Sequence, residues 1–128
     1  MIALGVDIGG TKIEVQTFGP DWSVISRRRI GTPRDYPAFL AAITEQVRWG
    51  MGDRATPVPL GISTAGYANP ATGAFLAANL PASGKLFLAD ITSALGQDVV
   101  LVNDACAFTQ SEAVFGAAKH ERIVVGVI

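Results

Sequence analysis

Cysteine and histidine are almost missing from this chain: Cys106 and His120 are its only examples. One cysteine cannot close a disulfide within the chain, and the two residues offer no zinc-ligand spacing. Reduced cysteine fits a reducing compartment. His120 lies in the charged run Lys119-His120-Glu121-Arg122, which reads as a solvated loop. Long apolar runs are missing too. No stretch reaches the roughly 18 residues that a membrane-spanning helix needs. The first residues go straight into an alternating pattern and lack the charged-then-apolar plan of a signal peptide. A surplus of either charge is also missing. Ten Lys and Arg face eleven Asp and Glu, for a net charge of −1, without the basic stripe that nucleic-acid binding wants. These absences point to a soluble, cytoplasmic protein that engages neither membrane nor nucleic acid. Internal repeats and low-complexity linkers are absent as well.

What remains suits one domain. The chain has 128 residues, and 49% of them are hydrophobic, so a sizeable core can form. Ile2, Leu4, Val6 and Ile8 alternate with Ala3, Gly5 and Asp7, the period of a strand. Gly9-Gly10 reads as a two-residue hairpin turn in which glycine accepts positive φ. Ile13, Val15 and Thr17 resume the alternation, Gly19-Pro20-Asp21 breaks it, and Val24–Ile30 forms a third strand of the meander. Within that strand Arg27-Arg28-Arg29 reads as a solvated, charge-protected sheet edge. Asp35 is placed to cap a helix whose apolar face is Tyr36, Phe39, Leu40, Ile43 and Val47. Gly50 and Gly52 end it. Leu60–Ser63 is a short central strand, followed by a loop over Thr64–Gly73, a short strand at Ala74–Ala78 and a weaker helix at Leu86–Leu95. Asp98–Val102 is a buried parallel strand that leads into a helix from Asp104. Ile123–Ile128 reads as one more buried strand. An apolar strand needs neighbours on both faces, so the chain is expected to be one lobe, residues 1–128, of a longer protein.

Two positions carry chemistry. Asp104 falls where a parallel strand meets a helix, the place where open α/β sheets bind ligands. A carboxylate there can take a proton from a substrate hydroxyl. It can equally cap its helix, and the two roles can coexist, because a helix N-terminus favours the ionised form. The turn after Asp7 leaves backbone N–H groups free to approach phosphate oxygens, with Thr11 adding a hydroxyl; an ordinary β-hairpin is the competing reading. It is not a Walker loop, which needs Gly-Lys-Ser/Thr before a helix. Asp7 lies on the polar side of an otherwise apolar strand, where an unpaired carboxylate is costly and a cation would offset the cost. Asn79 and Asn103 offer the donors and acceptors that sugar hydroxyls demand, and turn formation is their alternative role. Ser63 has no partner histidine nearby and no elbow motif.

Three blocks in order, Asp7-Ile8-Gly9-Gly10-Thr11-Lys12, Gly61-Ile62-Ser63-Thr64-Ala65-Gly66 and Asn103-Asp104-Ala105, resemble the N-terminal lobe of the ROK family (repressors, open reading frames and sugar kinases). Ala77–Lys85 is similar to the bacterial N-acetylglucosamine kinases of that family. The resemblance implies an α/β lobe of the actin-like ATPase (ribonuclease H-like) fold, with a mixed sheet that opens on a three-strand meander and helices on its faces. It implies ATP-dependent phosphorylation of a hexose or amino sugar, first of all N-acetylglucosamine, with Asp104 as catalytic base. Glucose and N-acetylmannosamine are the alternatives within the family, and a non-catalytic, partner-binding lobe is the alternative outside it. Gly9, Gly10, Thr11 and Lys12 would meet the ATP phosphates. Asp7 would hold Mg2+ through water. Asn103, Asp104, Asn79, Gly66 and Tyr67 would meet the sugar. Tyr67 stands where some amino-sugar kinases carry arginine, and Cys106 where asparagine is usual. The family's second phosphate turn, zinc site and adenosine pocket have no counterpart in these residues. Nor has the helix-turn-helix of its repressors. Apolar surface at Ile123–Ile128 leaves room for a homodimer.

Overall fold

The computed structural model describes all 128 residues. Strands β1 (Ala3–Ile8), β2 (Lys12–Phe18) and β3 (Val24–Gly31) form the expected antiparallel meander. Helix α1 (Tyr36–Met51) carries the chain back to β4 (Leu60–Thr64), which pairs parallel to β1. A small hairpin of β5 (Tyr67–Ala68) and β6 (Phe75–Leu76) follows. Helix α2 (Phe87–Leu95) then crosses to β7 (Val100–Asn103), parallel to β4, and helix α3 (Asp104–Val114) begins at once. The main sheet is five-stranded and mixed, in the order β3-β2-β1-β4-β7. Parallel neighbours need a crossover of this kind, and a helix usually supplies it.

The period-two pattern decides which face is covered. Leu4, Val6 and Ile8 of β1, Ile13 and Val15 of β2, and Leu60 and Ile62 of β4 are buried, together with Phe39, Ile43 and Val47 of α1. Phe39, Phe87 and Phe75 pack in series, with successive ring centroids 5.5 and 5.3 Å apart. Such pairs add about 0.5–1.5 kcal/mol beyond the area they bury. Phe75 thereby fixes the β5–β6 hairpin to α1 and α2. The opposite sheet face, with Gly5, Asp7, Gly61, Val100 and Val102, shares a groove with Ala107 of α3 and is otherwise open. No helix is long and apolar enough to cross a membrane.

Helix ends follow their chemistry. The Asp35 carboxylate accepts from the Ala38 amide at 3.2 Å and caps α1. Gly52, at φ 56°, ends the helix and donates to the Arg48 and Trp49 carbonyls. Gly50 does not end it, contrary to the sequence reading. A Cβ there would lie 2.7 Å from Leu4 Cδ1, so glycine lets α1 approach the sheet. β3 is an edge strand, as the arginines suggested. Arg28 pairs with Glu45 at 2.9 Å, and Arg29 with Glu14 at 2.5 Å.

Three further expectations fail. Asp98–Val102 gives a parallel strand at Val100–Asn103 but not a buried one, since nothing covers Val100, which is 65% exposed. Ile123–Ile128 is not a buried strand. It pairs with nothing, and Ile123, Val125, Val127 and Ile128 are all more than 80% exposed. Periodicity reports what a segment could bury but cannot supply the strand it would pair with. The Ala74–Ala78 strand shrinks to Phe75–Leu76, and its partner Tyr67–Ala68 lies inside the expected loop.

Candidate functional site

The register sets the site. Ile8 of β1, Thr64 of β4 and Asn103 of β7 stand in one row, all at the carboxyl ends of parallel strands. With strands ~4.8 Å apart, the row spans roughly 10 Å. The glycine turn leaves from one end of it, the Ala65-Gly66 segment from the middle and Asn103-Asp104 from the other end.

The turn differs in detail from its sequence reading. Neither Gly9 nor Gly10 has positive φ. The Gly9 amide donates to the Lys12 carbonyl at 2.9 Å, so the tip is Gly10-Thr11 rather than Gly9-Gly10. Gly10 is needed for close approach: a Cβ there would lie 3.2 Å from Asn79 Cβ and 3.3 Å from Asn79 O. The Gly10 and Thr11 amides donate to nothing within the chain. Thr11 and Lys12 are exposed, and Lys12 makes no ion pair. The tip therefore presents free N–H donors and one ammonium, the requirements of an anion site.

At the other end, Asn103 caps α3, its Oδ1 accepting from the Ala105 amide at 3.0 Å. Its Nδ2 donates to the Gly66 carbonyl at 3.2 Å. Asp104 is thus the first residue of α3, not its cap. The Asp104 Oδ1 shares the Ala105 amide at 2.9 Å, while Oδ2 has no partner in the chain. A cavity of about 540 Å³ gathers Gly66, Tyr67, Asn103 and Asp104, with Leu76, Ala77 and Ser83 also on its walls. Gly66 owes its identity to packing, since a Cβ would strike Phe75 Cζ at 2.5 Å and the Leu76 carbonyl at 2.6 Å. Asn79 does not line this cavity. It stands exposed beside Gly10, with a side chain free of internal hydrogen bonds. Ser83 was not foreseen. Its Oγ accepts from the Ala77 amide at 3.4 Å, a turn role that its place in Ala82–Gly84 could have signalled.

Asp7 carries no burial penalty for a cation to relieve, because it is exposed. It lies in register with Ser63 and opposite Glu14, on the open sheet face. Its donor chemistry still fits Mg2+, which keeps most of its waters and takes one or two carboxylates. Glu14 is already committed. Its carboxylate accepts from Gln16 at 2.7 Å and from Arg29 at 2.6 Å. The Gln16 hydrogen bond leads in holding its pKa below the usual glutamate range, partial burial opposes, and Arg29 adds to the lowering.

The comparisons agree with this architecture. A family model described as the ROK family matches residues 3–128. The N-acetyl-D-glucosamine kinase of Escherichia coli O127:H6 is 39% identical over 126 residues, 97% of this chain and 42% of that kinase. The chain thus spans less than half the length of that curated relative. A ROK hexokinase from Thermus thermophilus superposes with a TM-score of 0.80 at 26% identity, over 94% of this chain and 41% of that one. A ROK family glucokinase from Streptomyces griseus, solved with glucose and AMPPNP, gives 0.79 at 29% identity, over 94% and 38%. These neighbours are sugar kinases of the actin-like fold, and the chain belongs to the ROK family.

Proposed function

We propose that this chain is the nucleotide- and sugar-facing lobe of an ATP-dependent sugar kinase. One observation carries the reading: a turn with two unused amides and a carboxylate with one unused oxygen stand at opposite ends of a single row of strand ends. Phosphoryl transfer needs positioning and charge neutralisation more than covalent chemistry. Gly10 and Thr11 amides, the Thr11 hydroxyl and Lys12 would hold phosphate oxygens. Mg2+, held by Asp7 through water, would neutralise phosphate charge. In the cavity, Asp104 Oδ2 would accept the proton of a sugar hydroxyl as that hydroxyl attacks phosphorus. Asn103 spends one donor and one acceptor on holding Gly66 and α3, so it offers the sugar only its second N–H and its second lone pair. Asn79 has its whole amide to offer. Tyr67 supplies an exposed ring at the cavity mouth.

N-acetylglucosamine is the preferred sugar, supported by the 39% identical kinase named for it. Glucose follows, as the sugar bound in the Streptomyces griseus neighbour, and then N-acetylmannosamine. The test is an assay of ADP release by the intact protein with each of the three sugars and MgATP. Turnover with N-acetylglucosamine at the highest kcat/KM is expected. ADP release no faster with any sugar than without one would defeat the kinase reading and favour a non-catalytic lobe.

A further inference from the structure

Thr32, just beyond β3, makes two contacts with the glycine turn. Its hydroxyl donates to the Gly9 carbonyl at 2.7 Å. Its amide donates to the Thr11 carbonyl at 3.1 Å. The strand register explains why: Gly31 pairs with Lys12, which brings the next residue of one strand beside the preceding residue of the other. We propose that Thr32 is a positioning residue that orients the Gly10 amide of the turn toward a polyphosphate, a refinement that rests on the kinase reading above.

The argument is the planarity of the peptide unit. Gly9 C=O and Gly10 N–H belong to one trans peptide and point in opposite directions. When the Thr32 hydroxyl holds that carbonyl on its own side, the Gly10 N–H must face away from Thr32. The Thr11 carbonyl held by the Thr32 amide fixes the plane that carries the Lys12 N–H in the same way. This restraint is needed because the peptide between Gly9 and Gly10 is flanked by two residues without Cβ. Rotation about its neighbouring dihedrals meets little steric resistance, and a flipped peptide would turn a carbonyl oxygen toward the phosphate. On the far side the tip is bounded by Asn79, to which a methyl group on Gly10 would make a tight contact at 3.2 Å. Thr32 is half-buried and outside the 540 Å³ cavity, and both its hydroxyl and its amide are spent on the turn. If the donor-forward state falls to a fraction of the population, apparent affinity falls by that fraction.

The test uses the intact protein, with Thr32→Val to remove the hydroxyl at nearly constant shape, Thr32→Ala as a second deletion and Thr32→Ser to restore the donor. The expected result is a KM for MgATP raised about three- to ten-fold, the scale of one hydrogen bond. This should occur in both deletion variants, with the KM for sugar within about two-fold and the wild-type value regained in Thr32→Ser. An unchanged KM for MgATP overturns the proposal. So does a rise shared equally by the sugar, or a serine variant that behaves like valine, because either is the mark of a merely structural residue. Failure of the kinase reading looks different: wild-type protein would release no sugar-dependent ADP.

Discussion

Asp104 lines the cavity and spends one carboxylate oxygen on the Ala105 amide, which it shares with the Asn103 cap, while its other oxygen has no partner in the chain; the base role proposed for it rests on that second oxygen. The residue types at this junction were legible because strand, turn residue and helix follow one another without a gap. Asp7 lies on the polar side of its strand as expected, but its exposure was not foreseen, because alternation along a strand names a face but not whether anything covers it. Gly9-Gly10 was misplaced by one residue, because the tip is set by the Gly9–Lys12 hydrogen bond and the approach of Asn79, neither visible locally. Gly66 lines the cavity, as a sugar contact would, and its lack of a side chain answers to Phe75 and Leu76. Gly66→Ala should therefore destabilise the fold by about 1–3 kcal/mol through overpacking, seen as a Tm lowered by several degrees; an unchanged Tm would contradict the packing account. Glu14 yields a pH prediction. Its folded pKa is depressed, so its contribution is present above the ordinary value of 4.5 and is lost as pH falls through the folded value. Glu14→Gln should flatten the fall of Tm below pH 4.5, and an equally steep fall in the variant would count against the Gln16 and Arg29 contacts.

Among the elements, the meander and α1 were readable because each carries its own period and its own cap or turn, and β4 and β7 because each is a short apolar run bounded by turn residues, though the burial expected of β7 fails. The β5–β6 hairpin was not, since two-residue strands have no period; tertiary contact through Phe75 makes them. The Tyr36 hydroxyl donates to Asp90 at 2.5 Å and joins the start of α1 to α2. Burial first, and then the Asp90 bond and charge, hold the Tyr36 phenol neutral well above the usual tyrosine range. A raised pKa means this stabilisation is present below the unfolded value near 10 and disappears as pH climbs past it. Tyr36→Phe should lower stability by ~1 kcal/mol at neutral pH and lessen the alkaline fall in stability. Denaturant melts at pH 7 and pH 11 of both proteins read this directly; identical midpoints at both values would remove the bond from the account. Asp35→Ala tests the α1 cap, with a loss of about 1 kcal/mol expected in the same melts and no change if the cap is idle.

Seen whole, the molecule is a mixed sheet covered on one face and open on the other. The covered face holds the 15-residue core, and the open face holds Asp7 beside apolar Val100 and Val102. This asymmetry was only half legible. The apolar positions were recognised, but the sequence pattern assumes every apolar face finds a cover, and Ile123–Ile128 finds none. What both faces share is the carboxyl edge of β1, β4 and β7, where the glycine turn and Asp104 leave from strand ends about 10 Å apart. The most direct test of that arrangement is single-turnover phosphoryl transfer in the intact protein, wild type against Asp104→Asn, with sugar affinity measured separately by calorimetry. The account predicts transfer slowed by ~10²–10⁴-fold with sugar affinity within a few-fold of wild type. Transfer at near the wild-type rate in Asp104→Asn would contradict it.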